Sequence, residues 1–269
     1  MQRKYLQNGL ISALAFFCVG ARVMRGSDNS ASSLVSASSL VTGVSAVATS
    51  NSAVATDNVN GDALSSKITG ALEALTSAVR PLSHPKALET AFQSYFAYLN
   101  THPTDVKKPL LYFVDYGLPS TQPRGYVFNM STLQIVEGPF TVAHGRGSST
   151  TQYGVPTRFS NSSGSAMTSL GLYLTQGLYG FTGHTAGQTY SSVGLRLQGV
   201  SRGFNDNAGA RGVVAHGAPY VTATSAGRSE GCPAMEQDRA RRVLPELANG
   251  GMVFLFAPNA GLRADAQGV

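Results

Sequence analysis

Cys232 is the residue best suited to covalent chemistry, and it lies in the stretch GRSEGCPA, residues 227–234. The chain has two cysteines, and the other one, Cys18, falls within an N-terminal segment that we expect to be removed. Cys232 is then the sole thiol of the mature chain, which excludes an intrachain disulfide. A remaining thiol in an exported protein indicates a reactive group, an intermolecular disulfide or an inert buried side chain.

A cysteine nucleophile needs a base that removes its proton. All the histidines precede Cys232, which is the opposite of the papain-like order: they are His84, His102, His144, His184 and His216. His216 is the nearest of them and ends the strand-like run RGVVAH. The backbone carbonyl of Gly217, which follows, can accept a hydrogen bond from one imidazole nitrogen and so fix the tautomer.

The residues beside Cys232 suit an anionic intermediate. Gly231 precedes the cysteine, and a helix is predicted shortly after it. Backbone N–H groups at such a position lower a thiol pKa and can bind an oxyanion, and the N–H groups of Gly231 and Cys232 are the candidates for this role. The absence of a side chain at Gly231 also leaves room for a substrate.

Residues 1–21 have the layout of a secretory signal peptide, with Arg3 and Lys4, an apolar run and a small-residue end at Ala21. We therefore expect export to the periplasm or cell envelope, with a membrane contact only if the segment stays uncleaved. Residues 22–62 are rich in Ser, Ala, Thr and Val and contain SASSLV twice, at 30–41. This composition predicts a disordered linker.

Charge and composition narrow the classes of partner. The chain has 20 Lys and Arg against 14 Asp and Glu, a net charge of +6, without a dense basic tract. This balance favours an anionic polymer or surface and gives no indication of nucleic acid. The histidines and Cys232 lack the spacing of a zinc site, so we expect no metal and no cofactor.

The remaining chain predicts a mainly β domain that follows a helical segment. Apolar residues recur at helical spacing within residues 63–104, in SSKITGALEALTSAV and KALETAFQSYFAYLN. Residues 105–258 contain short runs rich in Val, Leu, Tyr and Phe, which predict strands: LLYFVDYG, RGYVFNM, FTVAHG, LGLYLTQG, VGLRLQG, RGVVAHG and GMVFLFAP. EQDRARRVLPELA predicts one helix after Cys232, in which Pro245 introduces a kink or a new turn. Residues 259–269 form a tail.

The stretch HGAPYVTATSAGRSEGCPA, residues 216–234, resembles the active-site stretch of the murein L,D-transpeptidase catalytic domain family. In that family, His-Gly is followed by Ser/Thr-x-Gly-Cys, and this branch reads GRS-x-GCPA. Similar segments flank it in the same order: LYFVDYGLPS, VAHGRGS, TRFSN, SLGLYLT, GFNDNAGAR and GGMVFLF. The resemblance covers about residues 105–258 and implies a β-sandwich or barrel.

The resemblance implies a cysteine acyltransferase that acts on peptidoglycan stem peptides. Cys232, activated by His216 with Gly217 as orienter, attacks the bond between the third and fourth residues of a stem tetrapeptide. An amine of a second stem then accepts the acyl group, and a protein attached to the wall is a further possible partner. Two alternatives stay open: an L,D-carboxypeptidase or amide hydrolase with the same site, and a non-catalytic wall-binding module.

This chain departs from the commoner family pattern around the cysteine. That pattern often has His before Gly-Cys and Asn or Arg two places after the Cys, where this chain has Glu230 and Ala234. Arg228 is our candidate for a carboxylate-binding charge. The other candidate substrate-binding residues are Ser229, Tyr220 and His144; for Tyr220 a packing role, and for His144 a turn or surface role, remain open.

Overall fold

The computed structural model describes residues 50–258 and 260–261, and it describes side chains from residue 61 onward. The predicted signal peptide (1–21), the first part of the predicted linker (22–49) and most of the predicted tail (259–269) lie outside the described residues. No helix in the described part of the chain is both long enough and apolar enough to span a membrane.

Two helices precede the strands, as the apolar spacing predicts. They are α1 (Ser50–Leu75), followed by a 3-10 turn (Thr76–Ala78), and α2 (Ala87–Thr101). Helix α1 begins inside the range assigned to the linker, so the linker boundary at residue 62 is too late. Residues 50–62 contain no proline, the residue that most strongly disrupts a helix interior.

The mainly β class is confirmed. The strands form one eight-stranded mixed sheet, in the order β3-β2-β1-β10-β5-β6-β7-β9, and a two-stranded sheet of β4 and β8. The bounds are β1 (Leu110–Asp115), β2 (Gly125–Asn129), β3 (Gln134–Phe140), β4 (His144–Gly145), β5 (Gly171–Thr185), β6 (Gln188–Gly199), β7 (Val214–Gly217), β8 (Arg228–Ser229), β9 (Ala234–Met235) and β10 (Met252–Phe256).

Helices cover both faces of the large sheet. Side chains alternate along β1, so Leu111 and Phe113 pack in the cluster that contains α1 and α2, and Tyr112 and Val114 pack in the opposite cluster. The second cluster contains the predicted helix after Cys232, α3 (Gln237–Leu247), with Pro245 in its last turn. Because both faces of β1 are buried, its sequence is a continuous apolar run rather than an alternating one.

Strands β5 and β6 form a hairpin that extends well beyond the predicted strands. Its turn is Ala186–Gly187, where both residues have positive φ values, 48° and 76°. The glycines in GLYGFTGH hide the strand pattern, but Gly183 of this stretch faces Tyr190 across the hairpin, and Gly194 of β6 faces Tyr179 in turn. The tyrosine rings cover these glycines and compensate for their missing side chains.

Candidate active site

Strand register brings the two ends of the predicted active-site stretch together. Strand β7 ends at His216–Gly217, and β9 lies parallel to it with His216 opposite Ala234. The backbone N–H of His216 donates to the carbonyl of Pro233 at 3.3 Å. Cys232 immediately precedes Pro233, so this register places Cys232 next to His216.

The His216 imidazole is buried and held in one tautomer. Its Nδ1 lies 3.1 Å from the carbonyl oxygen of Gly217, so Nδ1 donates its proton there and Nε2 is left as the basic nitrogen. The ring stacks on Phe181 with centroids 4.2 Å apart. Burial lowers the pKa of His216 to about 4, against a smaller opposite effect of the Gly217 hydrogen bond. The side chain is therefore neutral at pH 7 and able to accept a proton.

Cys232 is a free, half-buried thiol. Burial raises its pKa, whereas a hydrogen bond from the Val214 backbone and the positive charge of Arg211 lower it. The negative charge of Glu230 raises it further. The neutral thiol is thus favoured in the resting protein, and reaction through sulfur requires a base such as His216.

Ser229 braces the turn that carries the cysteine. Its hydroxyl donates to the carbonyl of Cys232 at 2.7 Å and accepts the N–H of Gly231 at 3.2 Å. The side chain is buried, and both of its hydrogen bonds are made within the turn. The structure therefore gives Ser229 a bracing contact where the sequence predicted a substrate contact. The Gly231 N–H is likewise occupied, whereas the N–H of Cys232 has no hydrogen-bond acceptor among the described residues.

Replacing Ser229 with Ala tests this brace. We expect a loss of about 1–3 kcal/mol in the free energy of unfolding, because the Gly231 N–H and Cys232 carbonyl lose a buried partner. Urea unfolding measures the loss. Ser162→Ala, at an exposed position, is the control and leaves the stability within about 0.5 kcal/mol. Equal stability of the two variants would contradict the bracing role.

Three tyrosines lie near Cys232: Tyr179 and Tyr190 on the β5–β6 hairpin, and Tyr220 after β7. Burial raises the pKa of Tyr179, Tyr190 and Tyr220, and the charge of a Cys232 thiolate raises it further, so these phenols lie within electrostatic range of the sulfur. The rings of Tyr190 and Tyr220 pack edge to face, with centroids 6.4 Å apart. The role of Tyr220 as a substrate contact stays a prediction.

Two other predicted substrate-binding residues lie on the small sheet, where His144 is opposite Arg228. Arg228 is exposed, with Nη1 3.4 Å from the carbonyl oxygen of Ser149. His144 is completely buried, and its Nδ1 accepts from Nη2 of the equally buried Arg124 at 2.9 Å. It therefore lies inside the fold and not on the groove, because Arg124 and the surrounding strands enclose it.

A family model described as the L,D-transpeptidase catalytic domain matches residues 81–256, more than half of the chain. The chain belongs to this family. The match begins before residue 105, where the sequence placed the start of the catalytic domain, and includes α2. This agrees with the packing of α2, which shares one core with strands β1, β2 and β10.

Solved L,D-transpeptidases are similar to this chain at low identity. The protein from Mycobacterium smegmatis is 13% identical, with a TM-score of 0.34, and the alignment covers 56% of this chain and 59% of that one. The protein from Stackebrandtia nassauensis is 15% identical, with a TM-score of 0.35 and coverages of 65% and 69%. The enzyme LdtMt1, solved in complex with imipenem, is 13% identical, with a TM-score of 0.35 and coverages of 55% and 59%.

This chain therefore spans less than two thirds of the length of the Mycobacterium smegmatis protein and of LdtMt1. No curated protein gives a significant match. Membership of the L,D-transpeptidase family accordingly rests on the family model.

The sequence alone did not predict two residues that the L,D-transpeptidase domain places at the site. Phe181 supports the His216 ring, and Arg211 lies near Cys232. Phe181 could have been predicted from the alternating aromatic residues in LYGF, because the alternation places Tyr179 and Phe181 on one face of a strand. Arg211 ends the segment GFNDNAGAR, and no spacing in it indicates proximity to the cysteine. In the described residues, no group of three His, Cys, Asp or Glu side chains could hold a metal ion.

Proposed function

We propose that this protein is a peptidoglycan L,D-transpeptidase with Cys232 as nucleophile and His216 as base. The observation that carries the proposal is the partly buried Cys232, which the β7–β9 register places next to a neutral His216 whose Nδ1 is bonded to the Gly217 carbonyl. Family membership supports the reaction class. Peptidoglycan stem peptides are the corresponding substrates.

The proposed reaction has two acyl transfers. Nε2 of His216 takes the thiol proton while sulfur attacks the carbonyl that joins the third and fourth stem residues. The proton passes to the departing amine, so the terminal D-amino acid leaves and a thioester remains on Cys232. The amine of a second stem then attacks the thioester, which forms a new amide and returns the proton to the sulfur.

The tetrahedral intermediates carry an oxyanion that needs a hydrogen-bond donor. The N–H of Cys232 is the proposed donor, because the N–H of Gly231 is directed at Ser229. Gly231 has a φ of 123°, a conformation that L side chains rarely adopt, and a Cβ there would lie 2.8 Å from the carbonyl oxygen of Met167. A glycine is therefore required to bring the cysteine N–H to this position.

The test is the intact mass of the protein after incubation with purified tetrapeptide muropeptides, with separation of the products. A thioester adduct together with cross-linked dimers supports the transpeptidase, and Cys232→Ala abolishes both. Trimmed monomers alone would assign the chain as a carboxypeptidase. Unchanged muropeptides and an unmodified Cys232 would contradict an enzymatic role and favour a wall-binding module.

A second probe is imipenem, which is present in the structure of the related LdtMt1. We expect one molecule to add to Cys232 of this protein and none to add to Cys232→Ala. Because imipenem needs no second stem, this arm tests acylation separately from acyl transfer.

We also propose that the protein acts in the periplasm or cell envelope after export. The signal-like residues 1–21 and the location of peptidoglycan support this. Fractionation of cells that express the full chain measures it, and recovery in the cytoplasm at full length would contradict it.

A further inference from the structure

The groups that face the Cys232 thiol come from several elements, and one of them is a guanidinium. The charges of Arg211 and Glu230 act on the thiol. A thiolate would in turn shift the pKa of four tyrosines, which are Tyr116, Tyr179, Tyr190 and Tyr220. The neighbouring base is His216. A Cβ added at Gly231 would lie 3.5 Å from Nη2 of Arg211. The guanidinium therefore lies against the turn that carries the nucleophile.

No carboxylate forms an ion pair with Arg211 within the ranges that the structure describes. Glu230, the acid next to the nucleophile turn, instead bonds the exposed Arg146 at 2.6 Å. The charge of Arg211 is therefore not cancelled by a bonded anion and acts on its surroundings, among which is the Cys232 sulfur. This charge opposes the effect of burial on the Cys232 pKa.

Neutral acceptors from one segment hold the guanidinium in place. Nη1 donates to the carbonyl of Ser160 at 2.8 Å and to the hydroxyl of Ser169. Nη2 donates to the carbonyl of Met167 at 2.8 Å and to the hydroxyl of Ser165 at 3.3 Å. Four acceptors fix the planar group in one orientation, which a lysine ammonium could not match.

The same segment, residues 160–169, packs against the nucleophile turn. The carbonyl oxygen of Met167 would lie 2.8 Å from a Cβ at Gly231, which shows how closely the two backbones approach. Arg211 thus joins this segment to the turn that precedes Cys232. Arg228, the charge suggested by the sequence, is exposed and has no comparable set of bonds.

We propose that Arg211 is a positioning residue of the active site: its guanidinium fixes residues 160–169 against the Gly231–Cys232 turn and stabilises the negative charge that develops on the sulfur. This inference rests on the proposed function only in treating Cys232 as the nucleophile.

The test is the pH dependence of Cys232 alkylation by iodoacetamide in the folded protein. We expect Arg211→Gln to raise the midpoint of the profile and to slow alkylation at pH 7 by about three- to tenfold, since one pH unit corresponds to tenfold in thiolate population. Arg202→Gln, which removes an exposed positive charge from the preceding turn, is the control and leaves the profile unchanged. Coincident profiles of Arg211→Gln and wild type would overturn the proposal.

Arg211→Lys separates the effect of the charge from that of the hydrogen-bond geometry. It also replaces Arg211→Gln in the test if circular dichroism shows that Arg211→Gln does not fold. We expect it to keep the midpoint within about 0.3 pH unit while amide hydrogen exchange of residues 160–169 becomes faster, because the ammonium keeps the charge without the four-way contact. A raised midpoint in Arg211→Lys, or unchanged exchange in that segment, would overturn the proposal.

Alkylation uses no peptidoglycan, so the outcome is independent of the substrate. A shifted alkylation profile together with unchanged muropeptides would retain the role of Arg211 and reject the transpeptidase. Muropeptide cross-linking together with coincident alkylation profiles would support the transpeptidase and reject the role of Arg211.

Discussion

Replacing His216 with Gln lowers the rate of Cys232 acylation by a stem tetrapeptide by about 10²- to 10⁴-fold, the range expected when a general base is lost. The Cys232 thiol is held neutral by burial, so it depends on a base more than an exposed thiolate would. Gln fills much of the same volume on Phe181 but has no basic nitrogen. Single-turnover intact mass spectrometry measures the rate.

The matched control is His184→Gln, at an exposed position near the tip of the β5–β6 hairpin. It retains acylation within about twofold of wild type, as expected for a surface change away from the reacting atoms. A loss of less than tenfold in His216→Gln would mean that another group takes the thiol proton. Thermal unfolding of both variants separates a chemical effect from a structural one.

The folded domain loses stability as the pH falls from 6.5 towards 5, because two buried histidines resist protonation. Burial lowers the pKa of His216 to about 4, and burial together with the charge of Arg124 lowers that of His144 to about 3, from an ordinary value of 6.5. The unfolded chain therefore binds these protons first. The stability is complete above about pH 6.5 and declines as the pH falls towards the folded pKa values.

Urea unfolding at pH 7, 6 and 5 measures this decline. We expect each histidine to account for about 1–2 kcal/mol between pH 6.5 and 5, a window above the ordinary carboxylate range. His144→Gln removes one of the two groups and reduces the decline by about half, whereas the exposed His184→Gln leaves it unchanged. A decline equally steep in His144→Gln and wild type would contradict the assignment of His144 as a buried neutral base.

The central elements of the fold were predictable because their patterns are local. Strands β1 and β10 are buried on both faces and are continuous apolar runs, and α3 has an amphipathic pattern. Strands β8 and β9 have two residues each, which is too short for any periodicity. The outer half of the hairpin is glycine-rich, and tyrosines from the opposite strand supply packing over Gly183 and Gly194 that a local pattern does not show.

The candidate site was predictable where neighbours in sequence create it. His216, Gly217 and Cys232 follow a motif, and the β7–β9 register then places them side by side. The position of Arg211 depends on contacts with the segment 160–169, distant in sequence, and no local pattern encodes such contacts. His144 was predicted to line a substrate groove because it is polar, but tertiary packing encloses its side chain, and no local pattern indicates that packing either.

The acceptor that orients His216 is a main-chain oxygen, and a change of side chain does not delete it. An Asp in this role could be removed by one mutation, whereas the Gly217 carbonyl remains in every variant. Substitution at Gly217 acts by crowding instead: a Cβ there would lie 2.5 Å from Ser192 Oγ, 2.9 Å from Ala240 Cβ and 2.9 Å from Gln237 Cα. If Cys232 and His216 act as proposed, alanine scanning would identify their two side chains and attribute any defect at position 217 to folding, because the Gly217 carbonyl is present in every variant.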